Sequence, residues 1–238
     1  RMLKYFWVSR KGYIQQSQLY RNLRTYANTQ GINEFMKELH SFSKFYKNVQ
    51  TLYHEEVKNW LHEEGFEELS KNEARYKRVT RVFQSLKLFR VTQPYPLIFS
   101  IFLFYKNKGG KDYNLLLDAI EVIEKYHFVN NVISQKIGNE VEKFYSEKSK
   151  EFYNCKENFK ETIKNLTDSL KKKKVLKEEF ISNFVESITY DQKNIALINY
   201  IFDRINNHNV KGGQRTEIYS PEKELNKRNY NIEHILPQ

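Results

Sequence analysis

The residues best suited to chemistry lie near the end of the chain, where Glu233 and His234 are adjacent within residues 230–238. A histidine can take a proton from water near neutral pH, and a neighbouring carboxylate can hold a divalent metal ion. Hydrolysis of a phosphodiester needs both functions, because water is a poor nucleophile and negative charge builds up on the phosphate oxygens. The pair is therefore a candidate for metal-assisted phosphodiester hydrolysis.

Two other histidines resemble the start of a zinc-binding helix but do not complete it. His54 and His62 are each followed by glutamate, as in the H-E-x-x-H motif. The second histidine of that motif would stand at Lys58 or at Phe66. With no second histidine and no evident third ligand, we do not expect a metal site here.

Two basic clusters are candidates for contact with a nucleic-acid backbone. The first recurs every third residue along a predicted helix and consists of Arg75, Arg78 and Arg81. The second closes another predicted helix and consists of Lys171, Lys172, Lys173 and Lys174. Both could follow a row of phosphates. The alternatives are a solvated helix face for the arginines and a favourable helix-dipole interaction for the lysines.

The composition favours a polyanionic partner and excludes several protein classes. Lys and Arg total 40 against 29 Asp and Glu, a net charge of +11, which suits nucleic acid unless it only reflects a lysine-rich coding bias. Only 8 Gly and 4 Pro occur in 238 residues, which argues against sandwiches and barrels because these need many tight turns. Cys155 is the single cysteine, so no intrachain disulfide can form.

The compartment that we predict is the cytoplasm. A single cysteine suits a reducing environment. The longest apolar stretch, residues 95–105, is too short for a membrane-spanning helix, which needs about 20 residues. No signal peptide is visible, and we expect no membrane partner.

Apolar residues spaced three and four apart predict an all-α, multi-helix bundle followed by a short segment that contains strands. The predicted domains are a helical domain at residues 1–210 and the truncated start of a second domain at 211–238. Asn33 and Asp112 are predicted helix caps, and the prolines near residue 94 are predicted to end a helix. Helices are predicted at residues 17–30, 31–53, 70–91, 96–105, after 112, and at 137–153, 156–172, 177–187 and 191–206, with strands at 216–219 and 230–235.

The segment Ile-Glu-His-Ile-Leu-Pro-Gln at residues 232–238, placed after a long basic helical region, resembles the GmrSD-type modification-dependent restriction endonucleases. Residues 123–133 and 139–145, and the proline-rich break before residue 97, resemble the helical part of that family more loosely. In the family, a ParB-like nucleotide-binding domain precedes the helices and a His-Asn-His nuclease follows them. Residues 230–235 would then be the first strand of a ββα-metal nuclease.

The resemblance implies that His234 is the general base and that Glu233 is a ligand of Mg²⁺ or Mn²⁺. It implies a DNA partner, most naturally modified phage DNA, and a role in antiviral defence. It also implies that nucleotide-binding motifs precede Arg1 and that the remaining nuclease residues follow Gln238, so we expect this chain alone to be inactive.

The alternative is a non-catalytic helical module that binds nucleic acid or transmits a signal between flanking domains. In either case the long apolar helical stripes could serve a homodimer as readily as a core.

Overall fold

The computed structural model describes residues 1–107, 112–136, 139–155, 158–189, 194–208 and 217–221. Within these ranges the chain is an α-helical bundle with no strand, which confirms the predicted all-α class. A π-helical segment, Phe128–Ile133, continues directly from the eighth α-helix. The α-helices are α1 Met2–Lys11, α2 Gln16–Gln30, α3 Ile32–Asn48, α4 His54–Glu63, α5 Glu67–Ser70, α6 Glu73–Leu88, α7 Tyr95–Asn107, α8 Tyr113–His127, α9 Asn139–Asn154, α10 Phe159–Lys172, α11 Lys177–Ser187 and α12 Ile195–Asn206.

The main core is built around α7, which packs against α1, α3, α8 and α9. This helix is buried along most of its length because its sequence is apolar on every side. Its Phe99 ring lies 4.9 Å from the ring of Phe42 and 5.3 Å from that of Phe45, measured between centroids. Pro96 fits in the first turn of α7, where a missing backbone N–H costs nothing.

A second, smaller apolar cluster joins the end of α6, the π-helical segment, α11, α12 and residues 217–221. Its buried members are Tyr200, Ile201 and Tyr219, and partly buried side chains such as Phe128 and Phe184 pack around them. Helix α11 contributes no fully buried residue. The cluster therefore leaves room for a cleft at the surface, described below.

Helix α3 is shorter than predicted and begins differently. It ends at Asn48 instead of continuing to residue 53, because the Thr51 hydroxyl redirects the chain. That hydroxyl accepts a hydrogen bond from the Tyr53 backbone N–H at 3.2 Å and also contacts the Glu56 carboxylate. The predicted cap at Asn33 is wrong, since the helix already starts at Ile32 and no side chain caps it.

Helix α6 spans 73–88 instead of the predicted 70–91, and the prolines do not end it. The Asn72 side chain caps its start by accepting a hydrogen bond from the Arg75 N–H at 3.1 Å. Its end is a left-handed turn at Arg90, with φ +58°, where the Val91 N–H donates to the Leu86 carbonyl at 2.9 Å. The helix is thus closed before Pro94 is reached.

The cap at Asp112 is confirmed, because its side chain accepts from the backbone N–H groups of Asn114 and Leu115. Residues 217–220 form no strand, which corrects the strand predicted at 216–219. The predicted strand at 230–235 and the boundary near residue 210 lie outside the described residues. None of the helices in the described ranges combines the length and the apolar character that a membrane crossing requires.

Candidate nucleic-acid interface

Glu233 and His234 lie outside the described residues, so their assignment as metal ligand and general base stays a prediction. Within the described part of the chain, no three His, Cys, Asp or Glu side chains come together in a way that could hold a metal ion. The carboxylate of Glu233 is the type of oxygen ligand that Mg²⁺ and Mn²⁺ sites use.

Residues 217–221, which precede the Glu233–His234 segment in the chain, are held against the helical body. The Glu217 carboxylate lies 2.7 Å from Nε2 of His54, and both side chains are largely buried. The Ile218 N–H donates to the Asp203 carboxylate at 2.9 Å. The Tyr219 ring packs edge-on against Tyr200, with 6.2 Å between ring centroids. His54, which resembled a zinc ligand in the sequence, thus anchors this part of the chain.

The three arginines of α6 do not form one solvent-facing row. Arg75 is the most open of them and lies 3.5 Å from Glu68 and over the Tyr113 ring. Arg78 forms hydrogen bonds of 2.7 and 2.8 Å to carboxylates of α8, and Arg81 is buried. Phosphate contact by these arginines stays a prediction, and only Arg75 stands in a position that solvent reaches readily.

The pair between Arg78 and Glu121 links α6 to α8. Burial raises the pKa of Glu121, but the hydrogen bonds and positive charge of Arg78 outweigh it and leave that pKa below its ordinary value. Both groups are therefore charged at neutral pH, and each satisfies the other in a half-buried setting. The regular three-residue spacing of the arginines reflects helix packing here as much as surface charge.

The four lysines that close α10 lead into a turn that hydrogen bonds hold in place. The buried Asn130 side chain donates to the Lys173 carbonyl at 3.0 Å and accepts from the Val175 N–H at 3.1 Å. Lys171 is exposed, 3.9 Å from Asp168, and Lys173 lies over the Phe144 ring. The lysine run is thus fixed by an asparagine of the π-helical segment, which no sequence motif indicates.

Lys174 is partly buried and feels the positive charges of two other lysines. Burial, and then the positive charges of Lys125 and Lys171, lower the pKa of Lys174 below its ordinary value. Lys125 acts electrostatically on Glu121, one turn away on α8, but among the described residues neither Lys125 nor Lys174 lies within ion-pair distance of a carboxylate. An anion placed between them would relieve the repulsion, so this corner of the molecule is electrostatically suited to a phosphate.

A cleft of about 400 Å³ opens between α6, α8, the π-helical segment, α11 and α12. Half-buried phenylalanines form one wall, and Lys125 and Arg204 are among its charged lining residues. The size and the mixture of apolar walls with a few charged groups are typical of small-ligand sites. The phenylalanines are Phe128, Phe180 and Phe184.

A buried polar network supports the floor of the cleft. Glu124 is fully buried, accepts a hydrogen bond from the Tyr200 hydroxyl, and lies 2.9 Å from the Arg204 guanidinium. Burial and the Glu124 charge raise the pKa of Tyr200 well above its ordinary value. Burial would lower the pKa of Arg204, but the charge of Glu124 reverses this and raises it. The network fixes the Tyr200 ring against Phe128, with 5.2 Å between ring centroids.

His127, at the end of α8, is fully buried. Its Nδ1 lies 2.7 Å from Oδ1 of Asn131, and its Nε2 lies 2.9 Å from the Tyr145 hydroxyl. Burial lowers the pKa of His127 to about 4, so the ring is neutral at physiological pH. Because an amide oxygen only accepts, Nδ1 carries the proton and Nε2 accepts from Tyr145.

No protein-family model, no curated protein and no solved structure matches this chain.

Proposed function

We propose that the chain is the helical body of a cytoplasmic, metal-dependent DNA endonuclease of the His-Asn-His type, directed at modified phage DNA. The observation that carries the proposal is the segment Ile-Glu-His-Ile-Leu-Pro-Gln at residues 232–238, after a helical body with a net charge of +11. In this proposal His234 takes the proton of the attacking water. A divalent metal held by Glu233 would stabilise the charge that builds on the phosphate and on the leaving oxygen.

The anchoring of residues 217–221 supports a joint role for the body and the segment that follows. The contacts of Glu217 with His54 and of Tyr219 with Tyr200 tie the chain to the surface that also carries the cleft. DNA bound to that surface would therefore lie close to residues 217–221, which precede the Glu233–His234 segment in the chain.

The test is a cleavage assay on plasmid DNA and on modified phage DNA, with the natural full-length protein and Mg²⁺ or Mn²⁺. We expect nicking or cleavage that EDTA abolishes, and Glu233→Ala is expected to raise the metal concentration needed for half-maximal activity. Parallel reactions with and without a nucleoside triphosphate test the nucleotide requirement that the resemblance implies. Absence of cleavage by a folded protein with every metal and DNA would contradict the proposal.

A second candidate is a non-catalytic module that binds nucleic acid or couples flanking domains. The observation that favours it is the anchoring of residues 217–221 to the helical body. Through these contacts a movement of α12 would be transmitted to a domain that follows in the chain. Here we expect binding of duplex DNA that weakens steeply with salt, without cleavage under any condition. Absence of DNA binding at low salt would exclude the DNA-binding version.

A further inference from the structure

The cleft lies next to the turn at Lys173–Val175 that follows the lysine run, called the lysine turn below. The π-helical segment contributes residues to both. Phe128, at its start, lines the cleft, and Asn130, two residues later, holds the turn at Lys173–Val175. A π-helix is a rare departure from α-helical hydrogen bonding and is found preferentially at functional sites. Here it brings an aromatic wall and a group of lysines next to each other.

The aromatic wall is a row of rings that contact one another and line the cleft. The Phe128 and Phe180 rings are 6.4 Å apart between centroids, and Phe180 and Phe184 are 5.7 Å apart. All three side chains are half-buried, line the cleft and lie on or beside α11, which has no fully buried residue. Such rings gain stabilisation from stacking with a planar ligand.

Two lysines stand at the edge of this wall. Lys125 lines the cleft, and Lys174 lines a second depression of about 480 Å³, where Glu179 pairs with Lys136 at 2.7 Å and Glu140 is exposed. The two carboxylates that line the cleft are already engaged: Glu121 pairs with Arg78, and Asp203 accepts from the Ile218 N–H. The cleft edge is therefore complementary to an anion attached to a flat ring. A purely apolar ligand would leave Lys125 and Lys174 without a negatively charged partner.

We propose that the cleft binds a single unstacked nucleotide, with its base against Phe128, Phe180 and Phe184 and its phosphate on Lys125 and Lys174. The inference rests on the proposed function in taking DNA as the source of that nucleotide. A free mononucleotide has the same chemistry and is the other source. In DNA, the site would hold one base outside the stack and leave the adjoining phosphates on the lysine turn.

The first arm of the test measures binding of a fluorescein-labelled oligothymidylate to the 238-residue chain by fluorescence anisotropy. Phe180→Ala is expected to weaken binding about tenfold, since each stacked base contributes this order of affinity. Ile181→Ala is the matched control, because Ile181 is the next residue of α11 and half of its surface faces solvent. The control is expected to bind as the parent does, and circular dichroism checks that both variants keep their helices.

The second arm tests the phosphate contact through the salt dependence of the same binding. Lys174→Gln is expected to reduce the slope of log affinity against log salt by about one. Lys37→Gln is the control, since Lys37 is an exposed lysine on α3 and should leave the slope unchanged.

The third arm distinguishes the two sources of the nucleotide. Binding of the oligonucleotide that depends on Phe180 and is not displaced by thymidine monophosphate or ATP supports a nucleotide unit of DNA. Displacement by either at equal concentration supports a free nucleotide in the same cleft. If Phe180→Ala and Lys174→Gln bind the oligonucleotide and both nucleotides as the parent and the controls do, the inference is overturned.

Failure of this inference is separable from failure of the proposed nuclease. If the full-length protein cleaves DNA equally well with and without Phe180→Ala, the nuclease proposal stands and the nucleotide-binding cleft is rejected. If the full-length protein cleaves no DNA but its binding depends on Phe180, the nucleotide-binding cleft stands and the nuclease proposal is rejected.

Discussion

Acidification should destabilise the helical body through His127, whose ring is fully buried between Asn131 and Tyr145. In the folded protein the pKa of His127 is about 4, against an ordinary value of 6.5. The neutral ring is thus favoured by folding. Its contribution is fully present above pH 6.5 and is lost as the pH falls from 6.5 towards 4.

The size of this effect follows from the two pKa values. Between pH 7.5 and pH 4.5 the unfolded chain takes up a proton at this histidine, while most folded molecules do not. Integrating the difference gives a loss of about 2–3 kcal/mol in the free energy of unfolding. Glu121, whose pKa lies below its ordinary value, also loses stabilisation in acid, but it does so equally in any variant that keeps it.

The assay is urea unfolding at a series of pH values, comparing the parent with His127→Gln. The variant lacks the titrating ring, so its stability should fall by about 2–3 kcal/mol less than the parent's over the same interval. His62→Gln, which removes an exposed histidine of α4, should behave as the parent does. Parallel pH profiles for the parent and His127→Gln would refute the reasoning.

Two further predictions concern the positioning of the lysine turn and the end of α6. Asn130→Ala removes the hydrogen bonds to the Lys173 carbonyl and the Val175 N–H, so it should lower the free energy of unfolding by about 2 kcal/mol. The control Asn154→Ala removes only an exposed hydrogen bond within α9 and should cost under about 1 kcal/mol. Equal losses for the two variants in urea unfolding would contradict this prediction. Arg90→Gly relieves the strain of the left-handed backbone at φ +58° and should stabilise the protein by about 0.5–1 kcal/mol, whereas Arg90→Ala should not. The measurement is the Tm of both variants. A glycine variant with a Tm at or below that of the alanine variant would argue against strain at this position.

Much of the bundle can be predicted from the sequence because helical periodicity is a local signal. The spacing of apolar residues predicts α2, α11 and α12 to within a few residues, and Asp112 is recognisable as a cap. The end of α3 at Asn48 is not predictable in this way. The residues beyond it keep helical spacing, and the turn depends on hydrogen bonds of the Thr51 hydroxyl.

The candidate site is less predictable because its parts come from distant positions in the chain. The lysines that close α10 are visible in the sequence, but the residue that fixes their turn, Asn130, lies more than 40 positions away. The burial of His127 depends on Tyr145, and the anchoring of His54 depends on Glu217, with no motif connecting either pair. Tertiary packing alone decides these contacts.

The most direct test of the nuclease account is single-turnover cleavage of modified phage DNA by the natural full-length protein, in parallel with His234→Ala and His62→Ala. The account predicts metal-dependent cleavage by the parent and by His62→Ala, and loss of cleavage by His234→Ala with DNA binding retained. Cleavage by His234→Ala at the parental rate would contradict the assignment of His234 as the general base.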